Sequence, residues 1–274
     1  MTMMIGFIGA GNMASALVGG LLAQGFSPKH ISIADPNVQQ LQAFKEKGLF
    51  VSANNADIVE RCDVLVLAVK PQVMKQVLEP LANVVQQKKP LIISIAAGIA
   101  SHSVDTWLGG NHSIVRAMPN TPALVQTGAT GLYANAAVSD EQKQQANTIL
   151  GAVGLSLWVN QEALIDSVTA VSGSGPAYFF YVMEAMIAAG QQLGLDEKTA
   201  RALTLQTALG AAQMAITADE TPAVLRQRVT SKGGTTEQAI AVFEAANMQQ
   251  IFNQALTACA AKGQELARIL GESA

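Results

Sequence analysis

Met4-Ile5-Gly6-Phe7-Ile8 is a short apolar run ending in Gly9-Ala10-Gly11-Asn12-Met13-Ala14, a G-x-G-x-x-A turn. An apolar helical stretch follows at once through Ala16, Leu17, Val18, Leu21 and Leu22. Strand, glycine turn and helix in that order specify the opening of a dinucleotide-binding βαβ unit. Gly9 makes the tight turn out of the strand, Gly11 leaves bare backbone against a pyrophosphate, and Ala14 lets the helix lie close to the sheet. Gly9, Gly11, Asn12 and Met13 are therefore candidate cofactor contacts, with the phosphates at the helix N-terminus, where unpaired N–H groups and the dipole favour negative charge. The next β-rich run, Ile31-Ser32-Ile33-Ala34, ends at Asp35, at the spacing of a ribose-binding acid. Asp35 is equally suited to cap a helix starting at Pro36.

The first half of the chain alternates short β-rich runs with helical stretches, the pattern of a parallel sheet covered by helices. The expected strands are Met4–Ile8, Ile31–Ala34, Val64–Val69, Leu91–Ile95 and Ser113–Ala117, with Gly131–Ala134 and Leu157–Val159 as candidates for later, antiparallel ones. Several lack a polar face, as strands buried on both sides do. After about Ala163 the texture becomes Ala-, Leu- and Gln-rich, with helices expected over Pro176–Leu193, Glu197–Ile216, Pro222–Val229 and Thr236–Leu270, the last broken near Ala246–Asn247. The fold class is α/β: a Rossmann-type doubly wound sheet over residues 1–162, then an all-helical domain over residues 163–274. The first two of those helices are apolar on nearly all faces, which in a small domain points to subunit association.

Three segments leave strands at the carboxyl edge, where ligands of doubly wound sheets bind. Val69-Lys70-Pro71 follows the strongest strand, and Lys70 faces either the cofactor or solvent. Ala97 and Gly98 end the next strand with residues small enough for a flat ring to approach. Asn120 sits in the rigid, two-proline loop Met118-Pro119-Asn120-Thr121-Pro122. In the helical half, Ser172-Gly173-Ser174-Gly175-Pro176 reads as a capped helix start. Thr230-Ser231-Lys232-Gly233-Gly234-Thr235-Thr236-Glu237 sets two glycines among hydroxyls, a loop whose backbone N–H groups can hold an anion such as a carboxylate.

Composition narrows the classes. A formal net charge of −3 without a basic run gives no reason to expect nucleic acid or an anionic membrane as partner. Met3–Ala23 is uncharged but lacks a basic n-region and is broken by glycines that the turn explains, so neither a signal peptide nor a membrane span is expected. Cys62 and Cys259 show no metal-ligand spacing and read as small hydrophobes in a reducing, cytoplasmic setting. His30, His102 and His112 fall outside the candidate segments and are expected at the surface or in loops; no metal site or acid–base pair is evident. A cofactor site without such a pair suggests chemistry carried mainly by the cofactor.

Taken in order, Gly9–Ala14, Val69–Pro71, "SIAAGI", "RAMPNTPALV", "SGSGPAY" and "GGTT" resemble the pyrroline-5-carboxylate reductases, from Met4 to about Leu266. The resemblance implies hydride transfer from NAD(P)H to the C=N carbon of 1-pyrroline-5-carboxylate, the last step of proline synthesis. It also implies a helical dimerisation and substrate-binding domain, in homodimers that often assemble into decamers. The substrate carboxylate would lie on Ser231, Gly233, Gly234, Thr235 and Thr236, with the N–H groups of Gly234 and Thr235 as donors. The Thr236 hydroxyl would contact the ring nitrogen, and the loop would face the nicotinamide held by the other subunit. The family usually uses NADPH, whereas Asp35 favours an NADH ribose hydroxyl and no arginine lies nearby in sequence, so the cofactor preference stays open. Many members carry Pro where this chain has Lys232. The alternatives are a 3-hydroxyacid dehydrogenase, which needs a lysine that Pro176–Leu193 lacks, and a non-catalytic dinucleotide sensor.

Overall fold

A computed structural model describes residues 3–272. Strand β1 (Ile5–Ile8) leads into α1 (Asn12–Ala23), then β2 (Ile31–Ala34), α2 (Val38–Glu46), β3 (Phe50–Ser52), α3 (Asn55–Val59) and β4 (Val64–Leu67). Helices α4 (Met74–Leu78) and α5 (Ala82–Lys88) precede β5 (Leu91–Ser94), α6 (Ser101–Trp107) and β6 (Ile114–Met118). There follow β7 (Gly128–Ala134), α7 (Asp140–Gly151), β8 (Gly154–Trp158) and α8 (Leu164–Val168). The eight strands form one sheet in the order β3-β2-β1-β4-β5-β6-β7-β8. The first six in chain order are parallel, β7 runs antiparallel to β6, and β8 is parallel to β7. With β1 registered to both β2 (Ile5↔Ile31) and β4 (Ile5↔Val64), the strand order reverses at the glycine turn, opening a crevice there.

Every residue of β1, β2, β4 and β5 is buried. Because strand side chains alternate between faces, neighbouring residues feed different cores. Phe7, Val66, Ile93 and Val115 join Leu17, Leu21 and Ile149 on one face, whereas Ile8, Leu65, Leu67, Ile92 and Ile114 join Met74, Leu78 and Trp107 on the other. At about 25 cal/mol per Å² of apolar area removed from water, this double burial is the main term holding the sheet together.

Three details depart from the sequence expectations. Strand β3 is unanticipated, since it is an edge strand of only three residues, with Phe50 exposed. Strand β4 stops at Leu67, with Ala68 and Val69 continuing half-buried against the two cores. A helix does open at this segment, with α9 (Gly175–Gln192) starting one residue before Pro176, but it follows α8 through a π turn at Thr169–Gly173, and the Ser172 hydroxyl donates to the Val168 carbonyl at 3.0 Å instead of capping.

The chain parts into two compact units, one holding residues through Ser174 together with the chain from Ala258 onward, the other holding Gly175–Thr257. The change of architecture near residue 162 therefore falls inside the first unit. Two contacts explain why. Val168 packs where a Cβ on Gly131 would lie, at 2.5 Å, so α8 seats on β7; Leu266 lies 3.3 Å from a Cβ built on Gly98, so the end of the last helix returns to the β5 edge.

The second unit contains α9, α10 (Glu197–Thr217), α11 (Pro222–Arg228), α12 (Thr235–Ala245) and the first part of α13 (Met248–Glu272) up to Thr257. The expected break at Ala246–Asn247 is present, with Asn247 left-handed at φ 52°. Within the single chain, α9 buries only Gly175, and Phe179, Phe180, Tyr181, Leu193 and Ile216 are exposed. So much exposed apolar surface marks an association face.

Candidate functional site

The carboxyl edge of β1 is shaped by steric demand. Gly9 is left-handed at φ 99°, a Cβ there would meet the Ala68 carbonyl oxygen at 2.6 Å, and its N–H donates to the Ala34 carbonyl at 2.8 Å. Glycine at position 9 is thus required by the protein itself. Gly11 differs: its φ is −76° and a Cβ would meet nothing within 4 Å. No part of the protein demands glycine there, and the open space beside it is where a ligand would approach bare backbone. Gly11 is also the N-cap of α1, with no side-chain cap and no acidic residue in the first turn, so Asn12 and Met13 begin a helix whose positive end is unopposed. The residues present therefore fit a dinucleotide pyrophosphate.

Asp35 is held beside this turn. Its Oδ2 accepts the Ala10 N–H at 2.8 Å and its Oδ1 accepts the Asn37 N–H at 2.8 Å. The capping alternative is overturned: α2 begins at Val38, and Asn37 caps it by accepting the Gln39 N–H at 3.1 Å. The half-buried carboxylate is fixed by the turn it faces. Nearby, Ser52 follows into a small polar cluster in which its hydroxyl donates to Asp57 at 2.6 Å. Asp35 N–H donates to the Ser52 carbonyl at 3.3 Å, so this corner is acidic.

The remaining edge residues sort into exposed and structural. Val69 packs against the Gly9 position, its Cγ1 lying 3.1 Å from a Cβ built there. Lys70 is exposed and caps the 3-10 turn Pro71–Val73 without a side-chain bond. Ala97 is exposed, whereas Gly98 is left-handed at φ 70° and turned toward Leu266 and Leu270. Asn120 is corrected in role: it is buried, its Nδ2 donates to the Ser172 carbonyl at 3.0 Å and its Oδ1 accepts the Ala129 N–H at 2.9 Å. Its side chain ties the 118–122 loop to the π turn and to β7.

A charged group that the sequence reading missed supports this edge. Glu162 accepts the Ser101 N–H at 2.6 Å and the Ser101 hydroxyl at 2.7 Å, capping α6 from a distant segment. Arg116, buried on β6, lies 3.3 Å from Glu162 and 3.7 Å from Asp166. Burial pushes the Asp166 carboxyl above its usual range, with Arg116 opposing the shift and Glu162 adding to it. Arg116 is 46 residues from Glu162 in the chain, so no local spacing reveals their pairing. His112 is likewise buried, contrary to expectation, with Nδ1 3.0 Å from Asp105. Burial pushes the Cys62 thiol up to about 12, making it inert.

In the second unit, Ser231–Thr236 form a tight turn leading into α12. The Gly234 N–H donates to the Ser231 carbonyl at 2.9 Å, and the Gly233 N–H donates to the Glu237 carboxylate at 2.7 Å, with Gly233 left-handed at φ 73°. Gly234 is the N-cap of α12 and supplies no side-chain cap. The expected donor pair therefore shifts by one residue: Gly234 is engaged inside the turn, and Thr235 and Thr236 carry the first N–H groups of the helix. Thr236 is half-buried; Ser231 and Thr235 are exposed. The arrangement can hold one carboxylate on backbone donors and offers hydroxyls beside it.

No helix among the described residues is long and apolar enough to cross a membrane. The chain matches the family model described as pyrroline-5-carboxylate reductase dimerisation over residues 162–266, and over residues 4–98 the one described as NADP oxidoreductase coenzyme F420-dependent. It is 53% identical to a pyrroline-5-carboxylate reductase of Pseudomonas aeruginosa over 98% of both chains. The solved structure of a pyrroline-5-carboxylate reductase from Coxiella burnetii superposes with a TM-score of 0.94 at 47% identity, covering 97% of this chain and 99% of that one. A Plasmodium falciparum pyrroline carboxylate reductase solved with NADP bound gives 0.85 at 28% identity, over 97% of this chain and 98% of that one.

Proposed function

The chain belongs to the pyrroline-5-carboxylate reductase family, and on that premise we propose that its two candidate sites divide the work of one NAD(P)H-dependent reduction between them. The reaction is the conversion of 1-pyrroline-5-carboxylate to L-proline. Bound at the β1 turn, NAD(P)H supplies the hydride for the C=N carbon.

The Gly9–Met13 turn and the positive end of α1 receive the pyrophosphate, and Asp35 accepts ribose hydroxyls. Val69, Lys70, Pro71 and Ala97 line the same edge, while Gly98 and Asn120 keep its loops in shape. Thr235 and Thr236 hold the substrate carboxylate through backbone N–H groups, Ser231 and Gly233 shape the turn around it, and the Thr236 hydroxyl orients the ring nitrogen. Orientation is the main demand on the protein, because a cyclic imine takes its proton from solvent and needs only alignment with the hydride donor. The observation that carries this reading is the uncapped start of α12 inside a ring of hydroxyls and glycines.

The functional division is residues 1–162 for the cofactor and residues 163–274 for dimerisation and substrate. The protein oligomerises through its dimerisation region; a homodimer, assembled further into a decamer, with the loop facing the nicotinamide held by the other subunit, is the proposed state. Its partner is the small-molecule substrate rather than nucleic acid or membrane, and its proposed location is the cytoplasm. The test is oxidation of NADPH and of NADH on addition of 1-pyrroline-5-carboxylate, with a 3-hydroxyacid and NAD(P)+ alongside. Rapid oxidation supports the reading. Cofactor binding without turnover of the imine would leave only the dinucleotide fold.

A further inference from the structure

We infer that Glu237 is a positioning residue for substrate binding, acting through the backbone of the Ser231–Thr236 turn. The inference rests on the reading of that turn as the carboxylate site. Two adjacent glycines make the turn intrinsically loose, since glycine has the widest choice of backbone conformations and loses most freedom when ordered. Lys232 adds no restriction, whereas a proline at that position would. Two bonds hold the turn: the Gly234 N–H to the Ser231 carbonyl at 2.9 Å, and the Gly233 N–H to Glu237 Oε2 at 2.7 Å. The second is charge-assisted and, among the described residues, is the one side-chain bond made to residues 231–236.

Glu237 is placed for this by its position in α12. As the third helical residue it can reach back over the N-terminus, the geometry of half a capping box, and it grips Gly233 in place of the N-cap Gly234. Its carboxylate also favours the helix end electrostatically. By gripping Gly233 in its left-handed conformation, φ 73°, Glu237 aims the chain so that the Thr235 and Thr236 N–H groups point out of the helix start together. The bond acts at Gly233, one residue before the N-cap, so the carboxylate does not block those two donors. Its negative charge nevertheless lies near the place a substrate carboxylate would take. Position and charge therefore pull in opposite directions, and substitutions separate them.

Glu237→Ala removes the bond and the charge, and Glu237→Gln removes the charge while keeping an oxygen that accepts the Gly233 N–H. Steady-state kinetics of both variants, and of Thr236→Ala, are compared with the intact protein. The expected result is a KM for 1-pyrroline-5-carboxylate raised about 3- to 10-fold in Glu237→Ala, with kcat and the cofactor KM within twofold, as for loss of a half-exposed charge-assisted bond. Glu237→Gln should restore KM to the original value or below it. An unchanged KM in Glu237→Ala, or a Gln variant as impaired as the Ala one, would overturn the inference. So would a parallel rise in cofactor KM, which would place the defect outside the turn. If Thr236→Ala is impaired while Glu237→Ala is not, the turn remains the substrate site and only the role of Glu237 fails. If neither differs from the intact protein, the substrate reading itself fails.

Discussion

Replacing Asp35 by serine should change which cofactor the protein prefers, by an amount that follows from how the carboxylate is held. Bonds of 2.8 Å from Ala10 and from Asn37 fix both oxygens, so the group has no rotamer in which to retreat from a ribose at the β2 edge. Each oxygen keeps a lone pair for a ribose hydroxyl, and a charge-assisted bond of this kind contributes roughly 1–2 kcal/mol when half-exposed. A 2′-phosphate in the same place meets like-charge repulsion, about 1–2 kcal/mol at some 5 Å in a partly solvated site. Together these give about 2–4 kcal/mol, a change of roughly 30- to 700-fold in the ratio of kcat/KM for NADPH over NADH. Both cofactors should also lose some affinity in common, since the Ala10 N–H loses its partner and the glycine turn loosens. The ratio cancels that shared loss. Initial rates of NADPH and NADH oxidation at saturating 1-pyrroline-5-carboxylate and fixed salt measure it, and added salt should shrink the change by screening the phosphate. A ratio unaltered within twofold would mean that Asp35 serves only to tie Ala10 to Asn37.

Thr236→Ala is expected to lower kcat about 10- to 100-fold, with the cofactor KM within twofold in the same rate assay; unchanged turnover would remove the hydroxyl from the mechanism. Gly154→Ala places a Cβ against the Gly128 backbone at φ 143° and should destabilise the β7–β8 pair by about 3 kcal/mol, lowering the thermal midpoint by roughly 6–12 °C. An unshifted midpoint would show that the two strands separate freely. For Asp166, the raised carboxyl pKa means that the native state binds the proton more tightly than the unfolded chain. Stability from the protonated form is then full below the ordinary value of 3.8 and lost as pH rises past it. The urea midpoint of Asp166→Asn should accordingly gain on that of the original chain between about pH 4 and about pH 7, and a flat or falling difference would contradict the sign.

Local chemistry was legible in the chain before any coordinates. The strand-to-helix passage Ile8–Asn12 depends on neighbours within a few residues, as do the α10 start at Glu197 behind Asp196 and the break at Ala246–Asn247. Such features follow from backbone sterics, capping and apolar periodicity, all of which a single stretch of sequence contains. Strand β3 escaped because it is only three residues long at the sheet edge, and the capping expected ahead of Pro176 does not form because Ser172 sits inside a π turn. What Asp35, Asn120 and Glu162 do was decided by groups 25, 52 and 61 residues away. The sequence by itself determined a nucleotide-binding sheet, a helical half and a glycine-hydroxyl turn. Only the tertiary structure decided that Asp35 bonds to the glycine turn instead of capping α2, that Asn120 is internal, and that the Gly234 N–H is engaged within its own turn. The reason is physical: a hydrogen bond is settled by which donor folding brings within reach of which acceptor, and every polar residue in the chain offers several choices until the backbone has closed.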